Sequence, residues 1–323
     1  MKALFSSARR VVTMSVLVAA RGLASLSVGI AGSVADAQGL QSRAYPIPEL
    51  VQSFVYQSAS MGERYAINVA IPTAFKTGDA RRYGALIVVD GDRAFPGVLN
   101  AYRSLESTIA PIFVISIGTP QEDGRDAYTR RRQYEFSPPN WDRKDPFGEF
   151  VTESCQKTHA DMNKCTGGAP KFLNAIVNEI LPLVEAKFPV DHNRLGLYGG
   201  SAGGFFATWT IFQPNSPFKR YLLSSPAMAQ GNGVVFRDEE QYAKTHTDLP
   251  VWIYMGAGTL EAADPIVEGL GLVVSGISRM TAALSGRHYP GLKIVTEYHP
   301  GMGHADAGGA SIARGLRTLY PRS

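Results

Sequence analysis

The chain alternates between short apolar runs and amphipathic stretches, and this alternation predicts its secondary structure. Two segments, Gln52 to Ser58 and Arg64 to Ile71, flank a polar turn and predict an antiparallel hairpin. The continuous apolar runs Ala85 to Val89 and Ile112 to Ile117 are typical of central strands that are covered on both faces. Further strands are predicted at Arg194 to Tyr198, Tyr221 to Ser224, Val251 to Met255 and Leu292 to Tyr298.

Apolar residues at helical spacing predict helices between these strands. The predicted helices are Phe172 to Phe188, Gly203 to Phe212, Pro265 to Leu284 and Ala310 to Leu319. Strands that alternate with helices in this way are typical of a mostly parallel central sheet with helices on both faces. The pattern therefore predicts an α/β fold class.

Residues 121–168 interrupt this alternation with nearly fifty residues of mixed charge, proline and aromatic side chains that have no clear period. A loop of this length inside a compact domain is usually functional. We interpret it as a cap-like insertion within one domain that spans residues 38–323. Its aromatic side chains are expected either to line a substrate pocket or to form the small core of the cap itself: Tyr128, Tyr134, Phe136, Trp141, Phe147 and Phe150.

The amino terminus has the layout of a signal peptide. Lys2, Arg9 and Arg10 precede an apolar stretch from Val11 to Ala20, and small residues lead to Ala35-Asp36-Ala37. We expect residues 1–37 to be removed and the protein to be exported to the periplasm or secreted. The paired arginines fit a twin-arginine signal or an ordinary basic leader start, so the export route stays open. No apolar run reaches the roughly 18 to 20 residues of a membrane-spanning helix, so no stable membrane insertion is expected.

Most of the net positive charge of the chain lies in the predicted leader. The whole chain carries a formal charge of +4, but residues 1–37 hold four basic side chains and a single acidic one. The remaining chain is then about +1, with no basic tract that would bind nucleic acid. We therefore expect no nucleic-acid partner.

The chain has two cysteines, Cys155 and Cys165, both within the predicted insertion. In the oxidising compartment that the leader implies, we expect them to form a disulfide. Such a bridge would close a short surface loop.

Residues 199–203 contain the pattern G-x-S-x-G between a predicted strand and a predicted helix. This context places Ser201 on a sharp turn, where its hydroxyl projects above the sheet as a nucleophile. Gly199 and Gly203 lie where a Cβ would collide with the turn. The start of the following helix favours the negative charge that develops during acyl transfer.

A serine nucleophile needs a general base and a carboxylate, which follow it in the order acid and then histidine on this type of scaffold. His304 lies in a glycine-rich loop after the last predicted strand and is our candidate base, whereas His299 at the strand end is expected to be structural. Two carboxylates follow the preceding strand. Asp264 precedes a proline and can cap a helix, so Glu261 is the favoured triad acid and Asp264 stays the alternative.

The backbone N–H groups of Ala202 and Asp92 are predicted to form the oxyanion hole. Ala202 follows the nucleophile, and Asp92 follows an early central strand. Asp90 and Asp92 could instead hold a metal, but two aspartates are too few ligands. We expect neither a metal nor a cofactor.

Together these motifs resemble the Putative esterase family of α/β-hydrolases, which includes enterochelin esterases, esterase D-like enzymes and mycolyltransferases. The resemblance extends from Ser53 to Leu319, and one residue beside the nucleophile departs from the pattern of siderophore esterases. Siderophore esterases of this kind often carry histidine just before the nucleophile, where this chain has Gly200. The departure weakens the expectation of an iron-siderophore substrate.

The arrangement predicts a serine esterase that hydrolyses a small-molecule or polymeric carboxylic ester through an acyl-enzyme. The family resemblance also includes acyl transfer to an alcohol, which uses the same triad. A binding protein on a hydrolase scaffold is a third interpretation, and the complete set of triad residues argues against it.

Overall fold

The computed structural model describes residues 50–78, 80–139, 148–149, 153, 155, 157 and 164–322. The expected signal peptide, together with Trp141, Phe147 and Phe150, lies outside the described residues. The strands form one eight-stranded sheet in the order β1-β2-β4-β3-β5-β6-β7-β8. Their bounds are β1 Val51–Gln57, β2 Arg64–Ala70, β3 Tyr83–Val88, β4 Ile112–Gly118, β5 Val190–Gly200, β6 Arg220–Ser224, β7 Trp252–Gly258 and β8 Lys293–His299.

The sheet is antiparallel at one side and parallel elsewhere. β1 pairs with β2 and β2 with β4 in antiparallel fashion, while the five remaining pairings are parallel. This confirms the predicted α/β fold class and the opening hairpin. Because β3 and β5 to β8 are parallel, the loops that follow them all emerge at the same edge of the sheet.

Helices cover both faces of the sheet. The residues of α1 (Gly91–Leu105) and α8 (Ala307–Leu319) pack on one face, and those of the other helices pack on the opposite face. The latter are α2 Gly124–Phe136, α3 Ala169–Ala175, α4 Leu181–Glu185, α5 Ala202–Thr210, α6 Gln230–Thr245 and α7 Val274–Gly286, with a π-helical turn Ile176–Ile180 between α3 and α4.

Outside the insertion, three helices differ from the sequence-based expectation. α1 and α6 were not predicted, although the buried residues of α1 recur at helical spacing: Phe95, Val98, Tyr102 and Leu105. The helix predicted from Pro265 begins only at Val274, because residues 265–272 form hydrogen-bonded turns. Asp264 therefore caps one of these turns rather than the helix.

The insertion is more regular than its sequence indicated. Its first part forms α2, which corrects the prediction of a loop there, although the apolar side chains of α2 show no clear helical period. Phe136 at the end of α2 packs in the main core against Phe172 and Phe206, at ring-centroid distances of 5.9 and 5.5 Å. A disulfide joins Cys155 and Cys165, as expected.

Candidate active site

The turn between β5 and α5 holds Ser201 in an uncommon backbone conformation. Its φ is 54° and its ψ is −119°, a region that side-chain-bearing residues rarely adopt. Two contacts maintain this conformation: the Ser201 N–H donates to the Ser224 carbonyl at 2.9 Å, and the Ser201 carbonyl accepts from the Ala227 N–H at 3.2 Å. The backbone strain at Ser201 is therefore stabilised by residues 224 and 227, at the carboxyl end of the neighbouring strand β6.

The glycines around the serine are required to different degrees. A Cβ at Gly199 would overlap the carbonyl of Gly203, and a Cβ at Gly204 would lie 2.9 Å from the Pro226 Cα. At Gly203 the nearest atoms to a Cβ would be 3.3 Å away, so that position is tight but not closed. Gly199 and Gly203 were predicted to be the crowded positions, whereas Gly204 is more tightly enclosed than Gly203.

His304 lies in the loop between β8 and α8, which several backbone contacts hold in place. The Gly301 N–H donates to the Thr259 hydroxyl at 2.9 Å, and the Met302 carbonyl accepts the Leu260 N–H at 3.0 Å. Gly301 has a φ of 69°, which glycine adopts without strain. The loop that carries His304 is thus tied to the residues that follow β7.

Ser201, His304 and Glu261 form a continuous hydrogen-bonded line. The distance from His304 Nε2 to Ser201 Oγ is 3.1 Å, and the distance from His304 Nδ1 to Glu261 Oε2 is 2.7 Å. A carboxylate only accepts hydrogen bonds, so Nδ1 carries the proton and Nε2 of the neutral ring accepts from the serine hydroxyl. This is the tautomer that a general base at Nε2 requires.

Glu261 is fully buried as a side chain, yet it stays a carboxylate. Burial by itself raises its pKa, but hydrogen bonds from His304, from the Gly258 N–H and from the Ser225 hydroxyl outweigh burial and hold the pKa below its usual range. The Gly258 and Ser225 donors both reach Oε1 at 2.7 Å. Oε2 is left to accept from His304.

Asp264, the alternative acid, has other contacts. Its Oδ1 accepts the N–H groups of Ile266 and Val267 at 2.8 and 2.9 Å, as a cap of the turn that follows. The contact with His304 Nδ1 is made by Glu261. The structure thus brings together the three residues that sequence analysis favoured, and their catalytic roles stay predictions.

The two candidate oxyanion donors lie at helix starts. Ala202 is the first residue of α5, and Asp92 lies in the first turn of α1, where its carboxylate accepts the Thr119 N–H at 2.9 Å. Both amides belong to the first turns of their helices, where backbone N–H groups lack an intrahelical partner. Their role as the oxyanion hole stays a prediction.

An ion pair that was not predicted from the sequence fixes the loop before Asp92. Asp90 has a φ of 56°, and its carboxylate accepts three hydrogen bonds of 2.7 to 2.9 Å from Arg132 on α2. The Tyr128 hydroxyl donates to the same carboxylate at 3.2 Å. A Cβ at Gly203 would lie 3.3 Å from Asp90 Oδ2, so this ion pair lies beside the serine turn.

The described part of the chain contains neither a metal-binding cluster nor a membrane-spanning helix. No group of three or more His, Cys, Asp or Glu side chains there converges as a metal site would. None of the helices described is long and apolar enough to cross a membrane.

Comparison with known proteins identifies the family. Residues 58–268 match the family described as Putative esterase. The chain belongs to this family. The match includes Ser201 and Glu261, while His304 lies beyond its end.

Curated relatives and solved structures are similar to the chain over most of the domain. A siderophore enterobactin esterase of Emericella nidulans is 30% identical over 211 residues, which are 63% of this chain and 63% of that protein. An apo-salmochelin esterase of Escherichia coli is 25% identical over 180 residues, 54% of this chain and 51% of the relative. The chain thus spans about half to two thirds of the length of these relatives. The BES protein of Bacillus cereus superposes with a TM-score of 0.70 at 22% identity, over 88% of this chain and 100% of that one, and supports the fold.

Proposed function

We propose that this protein is a serine esterase that hydrolyses a carboxylic ester through an acyl-enzyme. The observation that carries the proposal is the line from Ser201 Oγ through His304 to Glu261, with distances of 3.1 and 2.7 Å. In this mechanism Ser201 attacks the ester carbonyl while His304 Nε2 takes the hydroxyl proton. His304 then returns the proton to the leaving alcohol, and water releases the acyl group by the same path.

Glu261 acts in this mechanism by orienting His304 and by stabilising the imidazolium that forms when the proton arrives. The hydrogen bonds that keep the Glu261 pKa low support this role, since they keep the carboxylate charged at neutral pH. The N–H groups of Ala202 and Asp92 are proposed to bind the oxyanion. The step needs no group other than the side chains, the substrate and water.

We further propose that the substrate is an ester of the siderophore class. Support comes from the family relatives, which are described as esterases of enterobactin and of apo-salmochelin. Gly200 departs from the histidine common in such enzymes, and a Cβ at this position would lie 3.1 Å from the Tyr198 hydroxyl. Tyr198 therefore fills space beside the nucleophile that a side chain at residue 200 would enter.

The first test compares the wild-type protein with Ser201→Ala on a short p-nitrophenyl ester and on the cyclic triester enterobactin. We expect wild-type turnover of both substrates and a loss of roughly a thousandfold or more in kcat for the variant. Equal rates for wild type and variant would contradict Ser201 as nucleophile. Turnover of the p-nitrophenyl ester alone would reject the siderophore class and retain the esterase.

A further inference from the structure

The residue that follows β6 contacts the triad acid directly. Ser225 lies just beyond the end of β6, and its hydroxyl donates to Glu261 Oε1 at 2.7 Å. The serine is 2% exposed, so water does not compete for this hydrogen bond. No sequence pattern marks the contact, because the two residues are 36 positions apart in the chain.

The backbone at Ser225 is held in a strained conformation that aims the hydroxyl at Glu261. Its φ is 45°, in the left-handed region, and it precedes Pro226, which already restricts its backbone. The Ser225 N–H donates to the Gly256 carbonyl of β7 at 2.7 Å, which fixes the residue against the strand that leads to Glu261. Strain that persists in a buried turn is typical of a functional site.

Ser225 also stands between the two ends of the catalytic line. The preceding residue, Ser224, accepts the Ser201 N–H through its carbonyl, and the strand register pairs Ser224 with Gly200 of β5 and with Gly256 of β7. The end of β6 therefore contacts the nucleophile turn on one side and the triad acid on the other.

We propose that Ser225 is a positioning residue for the triad, whose hydroxyl holds Glu261 Oε1 so that Oε2 faces His304. This inference rests on the proposed esterase function. Of the two donors to Oε1, the Gly258 N–H lies at the end of β7, three residues before Glu261 in the chain, whereas Ser225 follows the neighbouring strand β6. Ser225 thus ties the carboxylate to the strand beside the nucleophile.

The hydroxyl also affects the charge of the carboxylate. Without this donor, the Glu261–His304 pair binds a proton more readily, since fewer hydrogen bonds stabilise the charged carboxylate. The acid limb of the pH–rate profile should then move to higher pH. A hydroxyl that only supported the fold would leave this limb in place.

The experiment compares Ser225→Ala and Ser225→Gly with wild type. Both variants lack the hydroxyl, but glycine adopts a φ of 45° without strain. Ser116→Ala is the matched control, because Ser116 is a fully buried serine of β4 that hydrogen-bonds with Asn68, away from the triad. The readouts are kcat, KM and the pH profile with p-nitrophenyl acetate, and the rate at which a fluorophosphonate labels Ser201.

We expect kcat and the labelling rate to fall on the order of tenfold in both Ser225 variants, with KM changed by less than about twofold. The acid limb should move to higher pH in both, and Ser116→Ala should behave like wild type. Wild-type kinetics in Ser225→Ala would overturn the inference. A slow Ser225→Ala variant beside a Ser225→Gly variant of wild-type activity would also overturn it, because the effect would then come from the backbone. Failure of both variants to fold would overturn it as well.

The same experiment distinguishes failure of the proposed esterase function from failure of the role proposed for Ser225. A wild-type protein that neither hydrolyses the ester nor is labelled at Ser201 would reject the esterase and this inference together. A wild-type protein that is active and labelled, beside unaffected Ser225 variants, would reject only the role of Ser225.

Discussion

Three strained residues lie side by side at the carboxyl edge of the sheet. Asp90, Ser201 and Ser225 follow β3, β5 and β6, which are neighbours in the sheet, and their φ angles are 56°, 54° and 45°. Each such conformation costs about 1 to 3 kcal/mol and persists only where surrounding contacts maintain it. Because all three contact the proposed site, the strain is part of its construction.

At the residue scale, Glu261→Gln tests the acid and Asp264→Asn is its matched control. A glutamine can donate a hydrogen bond to the imidazole and favour the wrong tautomer, so we expect kcat to fall about 10³- to 10⁴-fold on a p-nitrophenyl ester. Asp264→Asn keeps an oxygen that can cap the turn, and its kcat should stay within about twofold of wild type. The opposite ranking of the two variants would make Asp264 the triad acid.

Sequence predicted which three side chains meet at the candidate site better than it predicted the residues that contact them. Ser201, His304 and Glu261 were predicted to lie together because motif, strand order and chain order all place them after particular strands. Ser225 and Arg132 were missed, because their contacts with Glu261 and Asp90 join residues 36 and 42 positions apart through the tertiary fold. Contacts of this kind leave no periodic signal in one sequence.

At the element scale, α2 connects the insertion to the loop after β3. Arg132 of α2 is only 24% exposed as a side chain and pairs with an Asp90 side chain that is 10% exposed. Since Asp90 immediately precedes α1, this ion pair positions the turn that carries the Asp92 amide. The insertion thereby contributes a contact beside the candidate active site.

Arg132→Met tests this connection. The variant leaves Asp90 buried without its ion-pair partner, so we expect the free energy of unfolding to fall by about 2 kcal/mol in urea denaturation. The kcat on a p-nitrophenyl ester should fall about tenfold, because the turn that carries the Asp92 amide loses its fixed position. Arg130→Met is the control, since Arg130 pairs with the partly exposed Glu63 and should lose less than about 0.5 kcal/mol. Equal effects of the two variants would show that the Arg132–Asp90 ion pair has no specific role in the site.

Sequence patterns predicted the central strands better than the helices. The central strands β3 and β4 were predicted because strands that are covered on both faces read as continuous apolar runs. α6 was missed in a segment where Gly231, Asn232 and Gly233 all have left-handed backbone angles, which interrupt the helical pattern. The turns after Pro265 were predicted as helix, because a capping Asp264 followed by proline resembles a helix start.

At the scale of the whole molecule, the disulfide relates the fold to the compartment in which it forms. Cys155 and Cys165 are 1% and 2% exposed, so the bridge is buried within the insertion. Its presence fits the export that the leader predicts, and export stays a prediction because residues 1–37 lie outside the described residues.

The double variant Cys155→Ser/Cys165→Ser measures what the bridge contributes. Closing a loop of 10 residues restricts the unfolded chain, so we expect the variant to lose about 2 to 3 kcal/mol of unfolding free energy. A thiol reductant should lower the wild type to the level of the variant and leave the variant unchanged. Labelling of Ser201 by a small fluorophosphonate should continue at the wild-type rate in the folded variant, because the triad residues follow β5, β7 and β8 rather than the disulfide loop. A reductant effect on the variant itself would show that the measured loss does not come from this bridge.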